Sequence, residues 1–194
     1  MEKKLMFICG SPREAGNTLT VVNWVASAAK EAGASVEIIR ADQIGFKERG
    51  CIACMGCQKS EHYRCVIKDE ASSIVARFPE QDAIIFASPV YFMGLSGQIK
   101  ILIDRMYSLF KITQDGKQIN HPMQNTSFSL IVTSAGAAEH GLNLVTEHVK
   151  AIAGFFGKDL KTLAIPHAPI KPGTIVSNSK ILESALKFGK ELVG

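Results

Sequence analysis

Four cysteines are the residues whose spacing suggests chemistry most directly. Cys51, Cys54 and Cys57 are separated by two residues each, and Cys65 follows a short loop later. Three thiols so close in sequence, with a fourth in reach, can converge on one face of a cubane, so the spacing suits an iron–sulfur cluster and electron transfer. Structural zinc sites more often set two cysteine pairs on separate knuckles, which makes zinc the weaker metal. A redox disulfide and free thiols stay open as alternatives. Cys65 is followed by Val66 rather than proline, unlike the two-cluster ferredoxin run, so at most one cluster per chain is expected. The fifth cysteine, Cys9, ends an apolar run, where a buried small hydrophobe is the expected role.

A second candidate site lies in Gly10-Ser11-Pro12-Arg13-Glu14-Ala15-Gly16-Asn17-Thr18. Gly and Pro shape a turn, and backbone N–H groups at the start of a helix face outward. Ser11, Asn17, Thr18 and the Arg13 guanidinium add donors, a combination suited to a phosphate. No Gly-Lys-Ser/Thr follows, and there is no G-x-G-x-x-G, so a P-loop NTPase or a Rossmann dehydrogenase is disfavoured. Farther along, Ser88-Pro89-Val90-Tyr91-Phe92-Met93-Gly94 is an aromatic and apolar loop able to flank a flat ring. Thr133-Ser134-Ala135-Gly136 supplies small residues beside which a bulky ligand can approach the backbone. Together the three loops outline a site for a mononucleotide with a large planar head.

The elements that must position these loops alternate between strand and helix. Apolar strands are expected at Lys4–Cys9, Ser35–Arg40, Asp82–Ala87, Ser127–Thr133 and Leu160–Ile165. Helical periodicity predicts helices at Asn17–Ala32, Glu70–Phe78, Ser96–Leu109 and Glu139–Phe156, and a last one from about Asn178. These five βα units imply an α/β fold: a three-layer, doubly wound, parallel five-stranded sheet of order 2-1-3-4-5. The second strand carries Glu37 and Arg40, and the fifth is flanked by Lys158, Asp159 and Lys161, so those two are the expected edges. The ligand crevice then lies at the carboxyl ends of the first and third strands, where two of the candidate loops begin.

Composition narrows the function classes. The chain has 194 residues, 46% hydrophobic and 21% charged, enough for one full core. A single domain over residues 1–194 with a cysteine-rich insertion at about 50–68 is expected. The formal charge of +4 is spread along the chain, which fits an anionic small ligand and does not call for nucleic acid. No apolar stretch approaches the roughly 18 residues of a membrane span, and the start does not read as an export signal, so a cytoplasmic location with no membrane partner is expected. An odd count of five cysteines in a reducing compartment argues against a disulfide framework.

The run Gly10-Ser11-Pro12-Arg13-x-x-Gly16-Asn17-Thr18, followed by Ser88-Pro89-x-Tyr91 and by Ser96, Lys100, Asp104 and Arg105, resembles the flavodoxin-like NAD(P)H-dependent FMN reductases over nearly the whole chain. Within them, Cys51-x-x-Cys54-x-x-Cys57 with Cys65 resembles the compact motif of the iron–sulfur flavoproteins. The resemblance implies that Ser11, Arg13, Asn17 and Thr18, with Leu19, hold an FMN phosphate. Pro89, Val90, Tyr91, Phe92, Met93 and Gly94 would line the isoalloxazine, and Thr133, Ser134, Ala135 and Gly136 would close its other side. Cys51, Cys54, Cys57 and Cys65 would ligate a [4Fe–4S] cluster, and no side chain is implied as catalytic. The implied enzyme passes electrons from NAD(P)H or ferredoxin through FMN to the cluster or to a quinone-like small acceptor, as a homodimer or homotetramer. Competing classes are a flavodoxin-like electron carrier, which the net positive charge and Arg13 disfavour, and a thiol or metal redox sensor.

Overall fold

The structure is a computed structural model and describes residues 2–113 and 115–194. Strand β1 (Lys4–Cys9) is buried on both faces from Leu5 onward, and its alternation divides the core. Leu5, Phe7 and Cys9 point into one apolar cluster, Met6 and Ile8 into another. Parallel strands covered on both sides read as continuous apolar runs for this reason. The same division recurs in β3 (Ala83–Pro89), where Ile85 and Ala87 face one cluster and Ile84 and Phe86 the other. With β2 (Ser35–Arg40), β6 (Ser127–Thr133) and β7 (Leu160–Ile165) these strands form a parallel sheet of order β2-β1-β3-β6-β7. This is the expected 2-1-3-4-5 winding, with the charged strands at the edges.

Helices α1 (Asn17–Glu31) and α6 (Ser179–Val193) cover the face of Phe7 and Ile85. They pack closely at Gly189, where a Cβ would lie 2.3 Å from the Val25 carbonyl oxygen. The opposite face is covered by α3 (Glu70–Ala76), α4 (Gly97–Arg105) and α5 (Asn143–Phe155). Phe86, Phe128 and Phe156 stack there in sequence, with ring centroids 6.2 and 5.7 Å apart.

Several expected bounds shift. Strand β3 runs Ala83–Pro89 instead of Asp82–Ala87, because Ser88 and Pro89 stay in register with Val132 and Thr133. The expected Ser96–Leu109 helix is α-helical only to Arg105 and tightens into a 3₁₀ turn at Met106–Leu109. The expected Glu139–Phe156 helix is regular only from Asn143. Before it, Ala138–Leu142 form an irregular wide turn with Gly141 at φ +101°. Two elements went unpredicted: α2 (Gly56–Lys59) and an antiparallel ribbon of β4 (Lys111–Ile112) and β5 (Ile119–Asn120). Each has two to four residues per segment, too short for a periodicity signal. Among the described residues no helix is long and apolar enough to cross a membrane.

Candidate functional site

The carboxyl ends of β1, β3, β6 and β7 open onto one crevice of about 190 Å³. Its floor is the turn after β1. The Gly10 amide donates to the Ala87 carbonyl at 2.7 Å, and the Ser96 hydroxyl donates to the Gly10 carbonyl at 2.7 Å. A Cβ on Gly10 would fall 2.5 Å from that hydroxyl and 2.8 Å from Ile99 Cβ, so only glycine lets the turn lie against α4. The Ser96 amide in turn donates to the Ser88 hydroxyl at 3.0 Å. Ser88 and Ser96 are buried, and they tie the loops after β1 and β3 to each other.

Helix α1 starts at the crevice with Gly16 as its N-cap and no side-chain cap. The first amides of a helix have no intrahelical acceptor, and they carry the positive end of its dipole. Arg13, Gly16, Asn17 and Thr18 line the crevice beside Ser11. A Cβ on Gly16 would meet the Ser11 hydroxyl at 2.8 Å and the Arg13 carbonyl at 3.1 Å, which keeps the turn tight. The Thr18 and Thr133 hydroxyls share a buried 2.7 Å hydrogen bond, joining α1 to the end of β6. Arg40 braces the turn from outside by donating to the Pro12 carbonyl at 3.4 Å.

The structure brings ten of the predicted residues together around this space: Ser11, Arg13, Asn17, Thr18, Pro89, Val90, Tyr91, Thr133, Ser134 and Ala135. Five others lie elsewhere. Leu19 points into the core under α1. Gly136 sits behind the wall, its amide donating to the Ser134 hydroxyl and its carbonyl accepting from the His167 amide. Phe92, Met93 and Gly94 form a tight turn closed by paired hydrogen bonds between Tyr91 and Gly94. Phe92 and Met93 adopt left-handed φ of 44° and 67°, and Phe92 is fully exposed at the tip. Non-glycine residues in that region cost about 1–3 kcal/mol each, a strain concentrated at functional loops. The turn rests on Gly141, where a Cβ would lie 2.7 Å from Met93 Cα.

The sequence reading missed Ala168, Pro169 and Ile170, which form the remaining wall. They arrive because the Ser134 amide donates to the Ile165 carbonyl and the Ala168 amide to the Ser134 carbonyl, so the chain after β7 continues alongside the loop after β6. Asn17 Nδ2 then donates to the Pro169 carbonyl at 2.5 Å. A Pro-His-Ala-Pro run has no chemistry of its own, and only its place in the sheet order could have pointed to it.

The cysteine loop packs against the C-terminal end of α4 and the turn that follows it. Cys51, Cys54, Cys57 and Cys65 line one hollow, reached by left-handed backbone at Ala53 (φ 52°) and Met55 (φ 56°). The space between them is about 20 Å³, near that of one water. Among the described residues no three His, Cys, Asp or Glu side chains are gathered tightly enough to hold a single ion. Thiolates on one zinc must all stand about 2.3 Å from it, whereas a cubane takes its thiolates on four separate irons, at corners farther apart. The hollow thus offers four thiols as a donor set, in a space far smaller than a cubane.

Burial pushes the Cys57 thiol up; the Gln58 amide and Lys111 pull the other way. Gln58 also donates to the Phe110 carbonyl at 2.9 Å and accepts from the Ile112 amide at 3.1 Å, while the Lys111 ammonium donates to the carbonyls of Cys57 and His62. The ribbon of β4 and β5 is thus pinned to the loop. His62 is exposed. Beneath the loop Asp69 caps α3 through the Ser72 amide at 2.8 Å and receives both terminal nitrogens of Arg105, at 3.0 and 3.1 Å. Burial opposes ionisation of Asp69, but these donors and the Lys47 amide outweigh it and hold the carboxyl below its usual range. Cys9 is fully buried in the core, and burial raises its thiol as well.

Comparison with known proteins adds family to geometry. The family model for NADPH-dependent FMN reductases matches residues 3–168. An iron–sulfur flavoprotein of Archaeoglobus fulgidus is 30% identical over 174 residues, covering 88% of this chain and 77% of the relative. An iron–sulfur flavoprotein of Methanocaldococcus jannaschii is 41% identical over 103 residues, covering 53% of this chain, which spans about half (51%) of that relative's length. In structure, the NAD(P)H:quinone oxidoreductase of Methanothermobacter marburgensis superposes with a TM-score of 0.75 at 12% identity, over 99% of this chain and 100% of the other, a likeness of fold.

Proposed function

Because the chain belongs to the NADPH-dependent FMN reductase family, we propose that it is an FMN-dependent oxidoreductase with the flavin seated in the crevice and a [4Fe–4S] cluster on Cys51, Cys54, Cys57 and Cys65. The observation that carries the reading is the convergence of the turn after β1, the loops after β3 and β6 and the open start of α1 on one cavity. Asn17 Oδ1 is buried with no partner among the described residues, an acceptor left for a donor such as a ribityl hydroxyl. Arg13, the hydroxyl of Ser11 and the first amides of α1 suit a phosphate; Tyr91 and Pro89 offer flat apolar surface to a ring at the mouth.

Bound FMN supplies the exchange between an electron pair delivered as hydride by NAD(P)H, or electrons from ferredoxin, and delivery to a cluster or a quinone-like acceptor. The chain's own residues orient that group and keep its phosphate neutralised. The hydrogen-bonded frame of Gly10, Ser88, Ser96, Thr18 and Thr133 holds the crevice in shape without it. For the cluster, four thiols on one hollow and the cationic Arg105 lining it match a thiolate-rich, negatively charged group. Assembly as a homodimer or homotetramer belongs to the same proposal, with the half-exposed Phe155 beside Tyr107 and Phe110 as a candidate contact.

Anaerobic purification followed by an absorbance spectrum, with iron and acid-labile sulfide assayed on the same sample, tests the reading. One FMN and about four irons per chain are expected, with NAD(P)H bleaching the flavin band. Flavin without iron after reconstitution would leave a plain FMN reductase. Slow NAD(P)H oxidation combined with rapid reduction by a partner protein would make it a carrier. Absence of both chromophores would overturn the proposal.

A further inference from the structure

Arg105, the last residue of α4, is 1% exposed, among the largest fully buried side chains. Four hydrogen bonds account for its terminal nitrogens: Nη1 donates to the Glu48 carbonyl at 3.2 Å and Asp69 Oδ2 at 3.1 Å, Nη2 to the Ile67 carbonyl at 3.3 Å and Asp69 Oδ1 at 3.0 Å. Its Nε is equally buried and has no acceptor among the described residues. A buried charged donor left unpaired costs about 1–3 kcal/mol or more, so an orphan N–H needs a reason.

The reason lies in what the side chain borders. Arg105 lines the hollow walled by Cys51, Cys54, Cys57 and Cys65, and the Ile67 carbonyl it grips is two residues from Cys65. Cys65 is itself anchored, its carbonyl accepting from the Ser72 hydroxyl at 2.9 Å. A neutral thiol is a weak acceptor, whereas a metal-bound thiolate carries charge and accepts strongly.

We propose that Arg105 is a positioning residue of the cluster: its Nε–H is held for the Cys65 sulfur, a charge-assisted donor at the cluster edge that raises the reduction potential. The inference rests on the cluster reading above. An N–H bond to a ligand sulfur and a nearby cation both favour the form with one more electron. The couple involves gain of one electron by the cluster, with no bond made or broken in the protein. Asp69 keeps the guanidinium fork oriented, and among the described residues no other charged side chain lines the hollow.

The test uses the full chain, reconstituted without oxygen, as wild type and as Arg105→Lys, which keeps a cation for Asp69 but has no Nε fork. Iron and sulfide are assayed first, then the cluster is titrated with dithionite under electron paramagnetic resonance, the FMN couple on the same sample serving as control. The expected result is unchanged iron, an unchanged FMN couple, and about a tenfold lower reduced-to-oxidised cluster ratio at a given solution potential, which is a midpoint about 59 mV lower for one electron. An intact cluster with an unmoved midpoint overturns the proposal and leaves the cluster reading standing. Wild type without iron or sulfide overturns both. Where the lysine variant fails to hold iron, ¹⁵Nε-arginine spectra of the wild type decide: a paramagnetically shifted, exchange-protected Nε–H on loading supports the proposal, and an unshifted, freely exchanging one overturns it.

Discussion

The crevice at the strand ends and the cysteine hollow beside the end of α4 are built by opposite means. The crevice is framed at strand ends, where parallel pairing has already fixed the backbone, and hydrogen bonds among Gly10, Ser88, Ser96, Thr18 and Thr133 lock its loops together. The hollow is framed by a loop whose one helix has four residues, with left-handed alanine and methionine, held from below by the Arg105–Asp69 pair. A ligand site made by the fold is ready before its ligand arrives. A site made by a loop depends on a few side chains, and here its thiols enclose space for about one water.

The strongest way to break that comparison is Asp69→Ala. It leaves Arg105 as an unpaired buried charge and strips α3 of its cap; removing one partner of a buried pair costs about 3–5 kcal/mol. At about 2–4 °C per kcal/mol for a chain of this size, the melting temperature of the metal-free protein should fall by roughly 10 °C. Proteolysis should concentrate in residues 46–68, while FMN affinity measured by fluorescence quenching at 20 °C holds within twofold. A parallel loss of FMN affinity would show that the two sites are one cooperative unit.

Arg13→Ala is the complementary cut. Loss of a charge-assisted hydrogen bond to a phosphate costs about 1.5–3 kcal/mol, so the FMN dissociation constant should rise about 10- to 100-fold with the melting temperature of the flavin-free protein unchanged. Ser96→Ala should act less strongly, about 1–3 kcal/mol of stability, because it orphans the Gly10 carbonyl in a buried position. Its effect on FMN comes only through the displaced turn, so the affinity change should stay below that of Arg13→Ala. A larger loss for Ser96→Ala would mean the frame, and not the cation, determines binding.

The same contrast explains what could be read in the sequence. Apolar runs such as Leu5–Cys9 and Ala83–Ala87 announce strands covered on both faces, and charge at Glu37 and Lys161 announces edges, so the winding and the crevice position follow. The glycines at 10 and 16 and the donors between them mark the turn because local chemistry makes it. Pro169 was illegible because it owes its place to pairing between residues 134 and 165, and to Asn17, 152 positions away in the chain. Arg105 was legible only as part of a family pattern. That a guanidinium at a helix end is buried under a cysteine loop depends on Asp69 reaching it from another element.

The smallest expected effect concerns pH and isolates the pair that supports the loop. Asp69 titrates below its usual carboxylate range in the folded protein, so its contribution is fully present above the unfolded value of about 3.9 and is lost as pH falls through the folded one. Arg105 stays protonated throughout. In Asp69→Asn the carboxylate is absent at every pH, and other acidic groups lose their contributions equally in both proteins. The difference in urea midpoint between wild type and Asp69→Asn should therefore be constant from pH 7 to about 5 and shrink below about 4 as the wild-type carboxyl takes up its proton. A gap that stays constant down to pH 3 would mean that Asp69 supports the loop through shape and its α3 cap alone. The hollow would then resemble the crevice, a site maintained by hydrogen-bonded backbone instead of by charge.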